Sequence, residues 1–278
     1  MASWHSGDVR ANGIRLHYTR TGGTGPAVVL AHGFSDDGLR WTAVAEALAP
    51  EYDVVMVDAR GHGRSDAPES GYGSAEQAGD LAGAIAALGL RRPAVLGHSM
   101  GAATALALAG TRPDVPGAIL LEDPPQRWLG DPGAAADPEW RERQRARLTE
   151  YQRKTREELI AEQRAATPGW SDAELGPWAD AKLRFNLNAL NRGDAADLDW
   201  AATLRRITCP ALLITADPQR GALVTEEGAA ALRELVPQLR VAHIPGAGHS
   251  IRRDQFDRYL VIVRAFLAET SAAAGVSG

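Results

Sequence analysis

The chain has 278 residues, 45% hydrophobic and 23% charged, with 30 basic against 35 acidic side chains and a formal net charge of −5. That length is ample for one large α/β domain with a substantial core, and the acidic balance, with no lysine/arginine cluster interleaved with aromatics, argues against nucleic acid as a partner. The single cysteine, Cys209, excludes an intrachain disulfide, and no apolar run reaches membrane-spanning length.

Residues 1–8 lack the charged and apolar blocks of a signal peptide, so the expected compartment is the cytoplasm. Residues 14–18 alternate like an edge strand. After a Gly-rich turn at 22–26, residues 27–31 are continuously apolar, as a strand buried on both faces requires. His32, Gly33 and Phe34 follow at its carboxyl end. A helical stretch over 41–48 leads to a buried strand at 54–57, which ends in Asp58-Ala59-Arg60-Gly61-His62-Gly63-Arg64-Ser65. A helix over 78–88 precedes an apolar run at 93–96, then Gly97-His98-Ser99-Met100-Gly101 and a small-residue helix from 102. A further buried strand at 118–121 ends in Glu122-Asp123-Pro124-Pro125. The alternation of strand and helix implies parallel pairing through right-handed crossovers. In such sheets the reactive groups collect beyond the carboxyl ends of the strands.

From 126 to 200 the pattern changes. Strand-like runs stop, and polar helical stretches carry Trp128, Trp140, Trp170, Trp178 and Trp200, five of the seven tryptophans. The segment reads as a helical cap inserted into a core made of residues 1–125 and 201–278. Its tryptophans either face a cleft or glue the cap to the core. The basic run Arg141, Arg143, Arg145, Arg147, interspersed with Glu142 and Glu150, reads as a solvated helix face. The core resumes with a strand at 210–215, a helix over 225–235 and a strand at 240–244. The loop Pro245-Gly246-Ala247-Gly248-His249-Ser250 and a last helix over 254–269 follow. The small, polar tail 271–278 is expected to fray.

A G-x-S-x-G pentapeptide between a strand and a helix is a nucleophile elbow. Glycine neighbours admit the strained backbone that presents Ser99, and the helix N-terminus turns its free N–H groups towards the hydroxyl. Such a hydroxyl needs a base to take its proton, and His249, on a glycine-flanked loop, has the right pKa range for it. Metal-binding spacings such as H-E-x-x-H and phosphate loops of the G-x-x-x-x-G-K type do not occur, so neither a metal nor a nucleotide cofactor is expected. Cys209 reads as buried packing; His5, His17 and His243 read as surface or sheet residues.

His32-Gly33-Phe34, the Asp58 to Ser65 turn, the Ser99 elbow and Gly246-x-Gly248-His249 before a final helix occur in the order and spacing of one family. The chain resembles the α/β-hydrolase fold family over nearly its whole length. The resemblance implies a mostly parallel eight-stranded sheet with helices on both faces and an inserted helical cap. It implies a serine hydrolase, esterase- or lactonase-like, with Ser99 as nucleophile, His249 as base, and the backbone amides of Phe34 and Met100 as the oxyanion hole. It gives His98 and His32 packing or hydrogen-bonding roles and His62 a structural one. The family's usual acid position falls near Gln219 or Gly221, neither of them an acid, with Asp217 slightly early. The loop looks more like that of haloalkane dehalogenases and some lactone hydrolases whose acid follows an earlier strand, which here is Asp123. Asp123 is therefore the first choice of acid, Asp217 the alternative, and Glu122 a distant third.

The expected reaction is cleavage of a small-molecule carboxylic ester or lactone through an acyl-enzyme, without a cofactor. A serine in the elbow argues against haloalkane dehalogenase and epoxide hydrolase chemistry. C–C bond hydrolysis, amide hydrolysis and cofactor-free perhydrolysis on the same triad stay open, as does a non-catalytic ligand receptor of this fold. Leu129, Leu148, Leu183 and Phe185, together with the tryptophans, point to an apolar substrate.

Overall fold

The buried strands of the sheet owe their position to short, mainly apolar runs. In the computed structural model, which describes residues 4–130, 137–191 and 198–275, these are β3 (Ala27–Ala31), β4 (Asp53–Val57), β5 (Ala94–His98), β6 (Ala118–Glu122) and β7 (Ala211–Thr215). They join β1 (His5–Ala11), β2 (Ile14–Arg20) and β8 (Leu239–His243) in one eight-stranded sheet of order β1-β2-β4-β3-β5-β6-β7-β8. Pairings from β4 through β8 are parallel, while β2 runs antiparallel to both β1 and β4.

Because successive side chains in a strand point to opposite faces, the same runs feed two cores. Val29, Val55, Val95, Ile119, Leu121 and Leu213 face one. There they meet α2 (Ser74–Ala87), α3 (Met100–Thr111) and α8 (Glu226–Leu235) through Leu81, Leu106 and Leu232. Val28, Leu30, Val54, Leu96, Leu120 and Ile214 face the other, against α1 (Thr42–Leu48), α9 (Ile251–Asp254) and α10 (Phe256–Gly275) through Leu48, Ile251, Val263 and Phe266. Helices on both faces fit the order expected from sequence.

Two expectations change. Residues 14–18 are not the edge: β1 lies outside β2, with Val9 opposite Leu16. The β1 sequence, HSGDVRA, buries only Ala11, so it carries no apolar alternation by which a strand could be read. The tail does not fray at 271, because α10 continues to Gly275 through an alanine-rich run of high helix propensity; residues 276–278 lie outside the described residues.

Between β6 and β7 the described residues form helices and no strand: α4 (Pro138–Gln152), α5 (Arg156–Ala166), α6 (Asp172–Arg184) and α7 (Trp200–Leu204). Their starts are locally encoded. Asp137 and Asp199 cap α4 and α7, and Thr155 with Glu158 closes a capping box on α5. Helix α4 buries only Leu148, and Arg143 pairs with Asp137 and Glu139 on its outer side, as a solvated face should. Three tryptophans act as glue: Trp128 donates to the Gly228 carbonyl at 2.8 Å, Trp200 enters the sheet core, and Trp178 packs on Leu159. Among the described residues, no helix is long and apolar enough to cross a membrane.

Candidate active site

Ser99 stands between β5 and α3 with φ 51° and ψ −114°, a region costly for a residue with a side chain. The bend is held by its neighbours. Ser99 N–H donates to the Glu122 carbonyl at 2.9 Å, and the Ser99 carbonyl accepts from Ala103 N at 3.0 Å, starting the helix. The glycines leave room for the crossing chains: a Cβ on Gly97 would lie 2.3 Å from the Gly101 carbonyl oxygen, and one on Gly101 would lie 2.1 Å from that of Ala31. Met100 is the first residue of α3, so its N–H has no acceptor within the helix. The β3 loop comes alongside, since a Cβ on Gly33 would lie 3.5 Å from Ser99 Cβ.

His249 lies on the loop after β8, with its ring 4.7 Å from that of His98, the residue before Ser99. His249 Nδ1 lies 2.6 Å from Asp123 Oδ2. An N–H on Nδ1 leaves Nε2 as the lone-pair nitrogen, the tautomer a general base needs. Asp123 is fully buried and follows β6 with φ 45°, a left-handed conformation that aspartate tolerates better than most. Its other lone pairs are occupied: Leu223 N donates to Oδ1 and Oδ2 at 3.0 and 2.8 Å, and Val224 N to Oδ1 at 2.9 Å. Both oxygens of this buried carboxylate thus have partners. Asp217 goes elsewhere, accepting from Gly246 N at 2.7 Å and pairing with exposed His243 at 3.1 Å. Glu122 is buried and bound by Arg252, through its backbone N at 3.1 Å and Nη1 at 2.9 Å. Of the three acids considered from sequence, the structure brings Asp123 to His249 and takes the other two to different partners.

The flanking histidines hold loops. His98 Nε2 donates to the His249 carbonyl at 2.9 Å, and burial keeps this ring well below the usual imidazole pKa, helped by Arg252 and His249. His32 donates from Nδ1 to the Gly33 carbonyl at 2.8 Å and accepts Ala59 N–H on Nε2 at 2.9 Å; burial also lowers its pKa. Asp58 pins the two loops together, taking Gly38 N at 2.7 Å and Arg64 N at 2.8 Å. His62 bonds the Arg60 carbonyl within the same turn.

The Phe34 ring is enclosed by the helical segment. It packs on Trp140 of α4 at 5.4 Å and edge-on to Phe185 at 5.1 Å between centroids, in a cluster with Leu148 and Leu190. Sequence reasoning missed a second set of residues behind this loop: Asp36, Arg40, Glu174, Lys182 and Arg253, all charged and all with little exposed side chain. The trace it could have followed is that only Lys154 and Lys182 among the 30 basic residues are lysines. Among the described residues, no group of three or more histidines, cysteines or acids could hold a metal ion.

The fold, the elbow and the imidazole–carboxylate pair define a class. A family model described as alpha/beta hydrolase fold matches residues 26–252, and the chain belongs to that family and is an enzyme of the hydrolase class. An N-formylmaleamate deformylase of Pseudomonas putida is 34% identical over 268 residues, covering 94% of this chain and 96% of its own length. A malate-bound thermophilic esterase from Thermogutta terrifontis superposes with TM-score 0.70 at 25% identity, over 96% of this chain and 99% of its own. An E-2-(acetamidomethylene)succinate hydrolase shares the fold, with TM-score 0.74 at 22% identity over 96% of this chain and 100% of its own.

Proposed function

We propose that this protein is a serine hydrolase that transfers an acyl group from a small carboxylic ester or lactone to water. Ser99 attacks the carbonyl while His249 takes its proton; the tetrahedral oxyanion is held by the backbone amides of Phe34 and Met100. Collapse expels the alcohol, protonated by His249, and leaves an acyl-enzyme. His249 then deprotonates a water that releases the acid. Asp123 fixes the imidazole tautomer and balances its charge when protonated. Residues 126–200 act as the cap, whose Trp140 and Phe185 pack on the Phe34 ring. The observation that carries this reading is the 2.6 Å contact of His249 Nδ1 with a buried Asp123 whose remaining lone pairs are taken by backbone N–H groups.

Amide hydrolysis is the second reading, favoured by the full-length similarity to a deformylase. It uses the same steps with a nitrogen leaving group. A panel of p-nitrophenyl esters, small lactones and N-formyl amides, run with wild type and Ser99→Ala, separates the two readings. Multiple turnover on esters or lactones that disappears in the alanine variant supports the first, and turnover confined to the amides supports the second. Turnover that survives Ser99→Ala removes the serine mechanism.

A further inference from the structure

The oxyanion loop continues from Phe34 into Ser35, whose φ is 59°. A side-chain-bearing residue is strained there and stays only if something outside the loop holds it. That something is Lys182, in the last turn of α6, a helix of the segment between β6 and β7. Its ammonium donates to the Ser35 carbonyl at 2.6 Å, to Ser35 Oγ at 2.9 Å and to Asp36 Oδ1 at 3.1 Å. Lys182 is 6% exposed. All three of its protons have acceptors within two consecutive residues of the loop.

A buried ion pair that merely fastened α6 to the core would spend the ammonium on the carboxylate. Here two of the three bonds go to Ser35, next to Phe34. The geometry also suits lysine and not arginine, since three acceptors surround one tetrahedral nitrogen, whereas a guanidinium presents a flat fork. Asp36 carries the restraint further. Its Oδ2 accepts from Arg253 at 3.1 Å, and Arg253 also donates to Ser250 Oγ at 3.1 Å, next to His249. Arg253 and Arg40 both pair with Glu174 of α6 and lie against the Trp170 ring. The two loops that would do the chemistry are thus tied through one buried network to α6. Burial pulls the Lys182 ammonium down to about 8, against the pull of Asp36, a cost the fold carries to keep it there.

We infer that Lys182 is a positioning residue for the oxyanion hole: from α6 it sets the backbone of Ser35 and, through it, the Phe34 amide. The inference rests on the serine-hydrolase reading given above. Removing the ammonium frees Ser35 to leave the left-handed region, and an oxyanion donor displaced by ~1 Å costs about 100-fold in rate. Substrate binding in the ground state does not use that donor fully, so the loss belongs in kcat.

The test uses full-length wild type, Lys182→Met and Lys182→Leu, both of which remove the ammonium and leave Asp36 paired with Arg253 and Arg40. Each is assayed for kcat and KM on the best p-nitrophenyl ester. Each is also titrated with a trifluoromethyl ketone, which forms an oxyanion on the serine, and with the product acid, which does not. Expected are a kcat loss of roughly 10- to 100-fold with KM within about threefold, a parallel loss of ketone affinity, and unchanged acid affinity. Both variants show the loss, because Ser35 lacks its donor in each. Wild-type kcat in either folded variant, or equal losses of ketone and acid affinity, overturns the inference. If Lys182→Met fails to fold, Lys182→Leu decides alone. A wild type that neither turns over esters nor acylates Ser99 overturns this inference together with the reading beneath it; a wild type that does both while the Lys182 variants keep kcat overturns this inference alone.

Discussion

Asp123→Asn is the substitution whose effect follows most directly from the site. Asp123 Oδ1 accepts from Leu223 N at 3.0 Å and Val224 N at 2.9 Å, and Oδ2 faces His249 Nδ1 at 2.6 Å. An asparagine keeps its carbonyl oxygen on the two backbone donors, which fixes its amide nitrogen opposite His249. Nδ1 must then become the acceptor and the ring proton moves to Nε2, where a lone pair is needed to take the proton from Ser99. The wrong tautomer costs about four orders of magnitude in kcat, or about 5.4 kcal/mol of barrier at 1.36 kcal/mol per decade. Stability falls much less, by ~1–2 kcal/mol, because every buried backbone donor keeps a partner. Steady-state kcat on an activated ester, with melting temperature as the folding control, measures both. A folded Asp123→Asn variant within tenfold of wild type would refute the tautomer reasoning.

Asp217→Asn, by contrast, touches an exposed His243 and the Gly246 amide, and its kcat is expected within about threefold of wild type, since a partly exposed pair is worth ~1 kcal/mol at most; a loss confined to this variant would move the acid role to it. Asp37 is raised to about 7 by burial and by neighbouring Asp58, against the pull of Arg184. The folded chain therefore holds a proton that the unfolded chain releases near 4, so this stabilisation is complete below about pH 4 and lost as pH rises through 7. Asp37→Asn keeps the cap on Leu39 N and is expected to exceed wild type by ~2 kcal/mol at pH 8 but not at pH 4, read from urea midpoints; equal differences at both pH values contradict it. Gly101→Ala drives a Cβ to 2.1 Å from the Ala31 carbonyl oxygen and is expected to cost about 3 kcal/mol or more of stability; a melting temperature equal to wild type would show that the elbow tolerates the extra carbon.

What the sequence made legible was whatever is local or periodic. The interiors of β3 to β7 are apolar because both faces of the sheet are covered, and that pattern needs no tertiary knowledge to read. The Ser99 elbow is likewise local, since its glycines answer to contacts that a strand-turn-helix always makes. Strand β1 was not legible, because an edge strand with one buried side chain carries no pattern. The choice among Asp123, Asp217 and Glu122 was only partly legible. Each follows or ends a strand at the same rim of the sheet, and what separates them is the direction of one side chain: Asp123 to His249, Asp217 to His243, Glu122 to Arg252. The Asp36, Lys182 and Arg253 network was invisible for the same reason. Its members lie 146 and 217 positions from Asp36 along the chain and meet only when α6 is seated on the loop after β3.

The claim on which the rest depends is that Ser99 becomes covalently acylated. Intact-mass and peptide-mapping spectrometry after treatment with an organophosphonate tests it directly. The account predicts one adduct per chain, mapped to Ser99, and no adduct in Ser99→Ala. An adduct on another residue that persists in the alanine variant would contradict it.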